Sequence, residues 1–214
     1  MNLKEKLRKD GSRKLLACDG GGIRGIISIE ILSRIEEELR NVNDKPNLVL
    51  VDYFDYVAGT STGAIIATLI ALGFTTDAIR EFYLKSGAEM FHPARLWERL
   101  RTKFDDDNLS RMLKEVIGEE TTLDSDKLQT LLMMVLRNAT TDSPWPLSNN
   151  PKAKYNDPDR RGETSNLRLP PWQPVRASTA APTQVPPELI NLAPQQCAPA
   201  HGRRPRCTQT AHTP

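Results

Sequence analysis

Gly59-Thr60-Ser61-Thr62-Gly63 places one serine two residues from a glycine on either side. That spacing suits a nucleophile. A serine at a sharp strand-to-helix turn is held in a strained backbone conformation that pushes Oγ outward, and the flanking glycines let strand and helix pass close together. Tyr56-Val57-Ala58 before it reads as a short apolar strand, and AIIATLIALG after it as an apolar helix. The N-terminus of such a helix adds partial positive charge beside Oγ, favouring an alkoxide and any oxyanion formed on attack. Ser61 is therefore the candidate nucleophile and Gly59 and Gly63 its elbow, in competition with an ordinary structural turn.

Acyl transfer also needs donors for an oxyanion. Asp19-Gly20-Gly21-Gly22-Ile23-Arg24-Gly25 lies where a first strand, KLLACD, meets a first helix. Successive glycines let amides converge without Cβ atoms in the way, each useful donor supplying about 10²- to 10³-fold in rate. Gly20, Gly21, Gly22 and Arg24 are thus the candidate oxyanion loop, with Arg24 able to brace it or meet an anionic headgroup. Gly20, Gly22 and Gly25 also satisfy the dinucleotide fingerprint Gly-x-Gly-x-x-Gly, with Asp52 as the acid after a second strand. Against this rival, Asp19 would repel a pyrophosphate, and Gly59 to Gly63 would be left without a role.

A serine needs a base. The chain has three histidines, His92, His201 and His212. The last two fall in a polar tail, and His92 sits between Phe91 and Pro93 in what reads as a loop. A Ser-His-Asp triad is poorly supported, and an aspartate acting directly on the serine is the more economical scheme.

The elements that must position these residues alternate strand and helix, which argues for a three-layer α/β/α core with a mostly parallel sheet. Ile27, Ile31, Ile35 and Leu39 mark an apolar stripe on a helix from Ile26 to Arg40, with Glu36 and Arg40 paired on its wet face. LVLVDYFDYV, residues 48–57, reads as one or two strand pieces. The helix after Ser61 ends at Gly73 as its C-cap. A helix from Ala78 to Lys85 is opened by Thr76-Asp77 and closed by Ser86-Gly87, and another runs from Asp124 or Ser125 through Arg137 with Leu128, Leu131, Leu132 and Val135 inward. Residues 140–166 read as a polar loop, with order returning from Leu167 to Ile190.

Composition narrows the setting. Residues 1–13 form a basic, solvated leader without the apolar run of a secretory signal. The longest apolar stretch, Ala64 to Phe74, is about half of a membrane span. Three scattered cysteines point to a reducing, cytoplasmic setting, and a net charge of +2 implies no nucleic-acid partner. The main domain spans 14–192. Residues 193–214 contain no Ile, Leu, Val, Phe or acid and are expected to be disordered.

DGGGIRG at 19–25, GTSTG at 59–63 and LPPWQPVRASTAAPT at 169–183 together resemble the patatin-like phospholipases. The resemblance implies a lipid acyl hydrolase with a Ser-Asp dyad and no metal or cofactor. It implies a membrane phospholipid or galactolipid as substrate and peripheral contact with a membrane. Ser61 matches the nucleophile, and Gly20, Gly21, Gly22 and Arg24 match the oxyanion loop. The dyad aspartate of the family lies in a later Asp-Gly-Gly or Asp-Gly-Ala, whereas here no aspartate follows Asp159 and the only Asp-Gly pairs are Asp10-Gly11 and Asp19-Gly20. The expectation is a domain cut or frame-shifted near Leu192, feeble as an enzyme and poorly soluble. A non-catalytic lipid-binding module is the alternative, and Glu188, Asp52, Asp55 or a partner chain are the other sources of a carboxylate.

Overall fold

The structure, a computed structural model, describes residues 3–90, 106–138, 141–157, 165–180, 188–191 and 208–212. Three aliphatic strands form one side of its sheet. β1 (Leu15–Cys18) at the edge, β2 (Tyr56–Thr60) and β3 (Leu131–Asn138) pair in parallel, with Cys18 opposite Gly59 and Thr60 opposite Val135. β4 (Ser143–Ser148) folds back antiparallel on β3. β5 (Glu188–Asn191) and β6 (Thr208–His212) pair antiparallel with each other, and β6 joins β3 at Arg137 and Asn138, past the end of the β2 pairing. The expected parallel arrangement thus holds for the strands that lead to the motifs, and the antiparallel pairings lie on the β3 side of it.

Helices follow the strands. α1 (Leu3–Arg8) precedes β1, and α2 (Gly25–Asn43) follows it through a 3-10 turn, Gly22–Arg24. The single turn α3 (Leu50–Tyr53) leads into β2, which is succeeded by α4 (Thr62–Ala71) and α5 (Thr76–Met90). α6 (Asp106–Ile117) and α7 (Trp172–Thr179) complete the described helices. All ten residues of α4 are buried, because it packs on β1, β2 and β3 while also touching α2, α5 and α7. Such a helix must be apolar all round, as its sequence is. Gly73 ends it at φ 85, and the Phe74 amide reaches back to the Leu69 carbonyl at 3.1 Å, the bond of a Schellman cap. Along β3, buried Leu132, Met134 and Leu136 alternate with half-buried neighbours. Thr68 Oγ1 lies 3.9 Å from Met134 Sδ, so the buried face is the one α4 covers.

Several expectations need correction. Residues 124–137 are no helix: LLMMVLRN has a period-two pattern that puts alternate side chains against α4, and β3 results. Residues 50–53 make a helical turn because Asp52 accepts the Val49 amide, and only 56–60 form a strand. On α2 the buried face is Ile29, Leu32 and Glu36, while Ile27 and Ile31 are 59% and 58% exposed. A series at every fourth residue rotates by about 40° per step on a 3.6-residue helix, so one face cannot hold all of Ile27 to Leu39. α5 continues past Ser86-Gly87, carried by its own hydrogen-bond ladder. β4 lies inside the expected loop at 140–166, held by its pairing with β3. Residues 208–212, expected to be disordered for lack of apolar side chains, pair through the backbone as β6. The rest of the tail, including His201, lies outside the described residues, as does His92.

Glu36 pairs with Arg40 at 2.5 Å as expected, yet its side chain is wholly buried. Its two oxygens accept the amides of Leu50 and Thr76 at 3.3 Å and the Thr76 hydroxyl at 3.0 Å. One carboxylate therefore caps the starts of α3 and α5. The leader is likewise no solvated arm. Lys6 is buried and donates to the carbonyls of Val51 and Phe54, the latter at 2.9 Å, while Lys9 holds both carboxylate oxygens of Asp55 at 2.9 Å.

Candidate active site

β1 and β2 run side by side and end together. Continuing their register two residues beyond Cys18 and Gly59 brings Gly20 opposite Ser61. The approach is close: a Cβ on Gly20 would lie 2.9 Å from Ser61 Cβ and 3.1 Å from the Thr60 carbonyl. The two glycine-containing motifs, 41 residues apart in the chain by their matched positions, thus meet at one end of the sheet.

Ser61 sits at φ 53 and ψ −127 between the end of β2 and the first turn of α4. A non-glycine residue held there is strained by roughly 1–3 kcal/mol and persists only where its surroundings impose it. The neighbouring glycines supply part of that constraint. A Cβ on Gly59 would lie 2.1 Å from the Gly63 carbonyl oxygen, and one on Gly63 would lie 2.0 Å from that of Cys18. The strand can turn into α4 this tightly only because both positions lack side chains. α4 then directs its N-terminal partial charge at the serine.

Gly22 adopts φ 59, and the loop closes through the Arg24 amide bonded to the Gly21 carbonyl at 3.2 Å. Among the described residues, the amides of Gly20, Gly21 and Gly22 take no protein acceptor. Gly20 and Gly21 are exposed, as is Arg24 at the loop's far end. From α5, buried Tyr83 donates its hydroxyl to the Gly22 carbonyl. Burial pushes this phenol above its usual range, against the opposing influence of nearby Thr62 and the Gly25 backbone. Tyr83 also explains Gly25, where a Cβ would meet its hydroxyl at 2.5 Å. Tyr83 was not legible as a site residue in the sequence, since a tyrosine on a helix reads simply as core.

A second contact was equally hidden. The Ser61 amide donates to Ser178 Oγ at 2.8 Å across 117 residues of chain. Ser178 lies on α7 within the VRASTAAPT stretch, which the sequence singles out as a segment without pointing to this side chain.

Other candidate groups lie elsewhere. Asp52 caps α3 and Asp55 is held by Lys9 and the Lys14 amide, both at the start of β2. Ser61 follows the other end of that five-residue strand, roughly 16 Å away at about 3.3 Å per residue. Neither aspartate reaches the serine. The dinucleotide reading loses its acid too, because Asp52 precedes β2 in a helix where the fingerprint needs it after a strand. Glu188 is on β5, opposite Ala211 of β6. Cys18, beside the loop, is an inert thiol, pushed up to about 11 by burial and by the charge of Asp19.

The patatin-like phospholipase family model matches residues 16–193, more than half of the chain and all of the elements just described except α1 and β6. The chain belongs to the patatin-like phospholipase family. Patatin-like protein 4 of Arabidopsis thaliana is 34% identical over 135 residues, covering 57% of this chain and 32% of that protein. Patatin-17 of Solanum cardiophyllum is 36% identical over 112 residues, covering 49% and 28%. The 85/88 kDa calcium-independent phospholipase A2 of Rattus norvegicus is 29% identical over 181 residues, covering 79% and 20%. The chain thus spans about a third or less of the length of these patatin-like relatives. Its α/β core with parallel strands β1, β2 and β3 is the patatin fold, and no described helix is long and apolar enough to cross a membrane.

Proposed function

We propose that this chain is the nucleophile-bearing core of a lipid acyl hydrolase. Ser61 Oγ attacks the ester carbonyl of a membrane phospholipid or galactolipid, and the tetrahedral oxyanion is met by the amides of Gly20, Gly21 and Gly22. An acyl-enzyme forms, the alcohol leaves, and water releases the fatty acid. The observation that carries this reading is Ser61 at φ 53, at the mouth of a wholly buried helix, with Gly20 packed against it. Membership of the patatin-like family supports the lipid.

The family's base is an aspartate of a Ser-Asp dyad, and no aspartate follows Asp159 in these 214 residues. Loss of a general base costs about 10²- to 10⁴-fold. The chain as it stands therefore has a formed nucleophile and cradle with turnover near background. Hydrolysis of a short-chain p-nitrophenyl ester tests this: little turnover, and little change in Ser61→Ala. Robust turnover that Ser61→Ala abolishes would show that a carboxylate is supplied after all.

Peripheral contact with a lipid surface is supported by Ile23, Ile27 and Ile31, which are 63%, 59% and 58% exposed and recur every fourth residue from the glycine loop along α2. An apolar ridge beginning at the site suits a substrate held in a bilayer. The same ridge favours a second reading, a lipid-binding module without turnover. Vesicle flotation in which Ser61→Ala binds like the wild type, Ile27→Asp/Ile31→Asp does not, and no fatty acid is released would favour the module.

A further inference from the structure

The VRASTAAPT stretch carries no step in the scheme above, yet one of its side chains touches the nucleophile's own backbone. Ser178 is completely buried. Its Oγ accepts the Ser61 amide at 2.8 Å and donates to the Val135 carbonyl at 2.9 Å. The same carbonyl accepts the Thr60 hydroxyl at 3.3 Å. A single hydroxyl thus ties α7 to the last paired residue of the β2–β3 ladder and to the one strained residue between β2 and α4.

The direction of the tie matters. Ser61 relaxes from φ 53 by turning the peptide that joins it to Thr60, and that rotation swings the Ser61 N–H away from Ser178 Oγ. The hydrogen bond opposes the motion that would dissolve the elbow. It also occupies the nucleophile's amide, leaving oxyanion stabilisation to the glycine loop across from it. A hydrogen bond to a buried, fixed partner is comparable in strength with the strain to be held.

We propose that Ser178 is a positioning residue that holds Ser61 in its strained turn, a role that rests on Ser61 being the nucleophile. The test uses the wild type, Ser178→Ala, Ser178→Thr and Ser61→Ala. It measures hydrogen exchange at the residue 61 amide, protection along α4, and the rate at which a fluorophosphonate modifies Ser61.

In Ser178→Ala, exchange at the Ser61 amide is expected to rise about tenfold and modification to slow about tenfold, the scale of one hydrogen bond, with α4 protection unchanged. Ser178→Thr, which restores the hydroxyl, should return both towards the wild type. Unchanged exchange at Ser61 in Ser178→Ala would overturn the proposal. So would an equal loss of protection at Ser61 and throughout α4, the mark of a packing role alone. If the wild type is modified at some other residue, or Ser61→Ala is modified as readily, the nucleophile reading fails while exchange at residue 61 still decides what Ser178 holds.

Discussion

Gly20 and Ser61 face one another across the ends of β1 and β2, with room between them for a hydrogen but not a methyl group. A Cβ on Gly20 would sit 2.9 Å from Ser61 Cβ, whereas one on Gly63 would sit 2.0 Å from a backbone carbonyl of β1. The two substitutions should therefore differ in kind. Gly20→Ala shifts a loop and is expected to slow modification of Ser61 with little loss of stability. Gly63→Ala forces β1 and α4 apart and should destabilise by about 1–3 kcal/mol or more, in the range of overpacked cores. Urea denaturation of both variants checks this, and equal stability losses would contradict it.

Glu36 is expected to matter more than a helix-face glutamate should. Removing a buried partner leaves Arg40 and two helix starts without their acceptor, so Glu36→Ala should cost about 3–5 kcal/mol. Glu36→Gln retains an acceptor oxygen for one of those starts and should cost less. Denaturation midpoints of the two variants provide the comparison, and a neutral Glu36→Ala would show that the caps contribute little.

Acid should weaken the fold through Asp55. Burial alone pushes its carboxyl up. The hydrogen bonds from Lys9 and the Lys14 amide, with the charges of Lys9 and Lys6, outweigh that and hold it below its ordinary 3.8. A carboxylate depressed in the folded state contributes stability above its unfolded value, and this is lost as pH falls through the folded one. Stability is thus expected to decline below about pH 4, and less steeply in Lys9→Met, where the depression is reduced. Lys6 acts in the other range. Burial first, offset by Asp55 and Asp52, holds it below 10.5, so its penalty is relieved as pH rises towards that value. Urea midpoints from pH 3 to about pH 11 would show both trends; the same acid slope in Lys9→Met would refute the first.

Cys18 should resist alkylation. A thiol pushed up to about 11 is almost wholly protonated at pH 8, and it is buried besides. Iodoacetamide at pH 8 is expected to leave the Cys18 peptide unmodified in the folded protein and to modify it in denaturant. Modification of the native protein at the rate of a free thiol would contradict the placement of β1.

The elbow and the glycine loop were legible because their constraints are local. A serine between two glycines after an apolar run, and three glycines after another, state their steric needs within a few residues. What joins them was partly legible, since parallel strands bring their ends together. Ser178 and Tyr83 were not, because a hydroxyl bonded to a backbone amide or carbonyl far along the chain leaves no pattern of spacing. Glu36 was misplaced for a related reason: its partners come from α3 and α5, so the polar side chain faces inward. β3 was misread because Leu131, Leu132 and Val135 fit a helical spacing as well as Leu132, Met134 and Leu136 fit a strand. The packing of α4 decides between them.

The central claim is that Ser61 is a nucleophile facing the glycine loop. Mass spectrometry of the protein after exposure to a fluorophosphonate tests it most directly, because a single covalent event does not require turnover. The account predicts a slow, single adduct on the peptide containing Ser61, absent in Ser61→Ala and slower still in Gly20→Ala. No adduct on that peptide, or an adduct that survives Ser61→Ala, would contradict it.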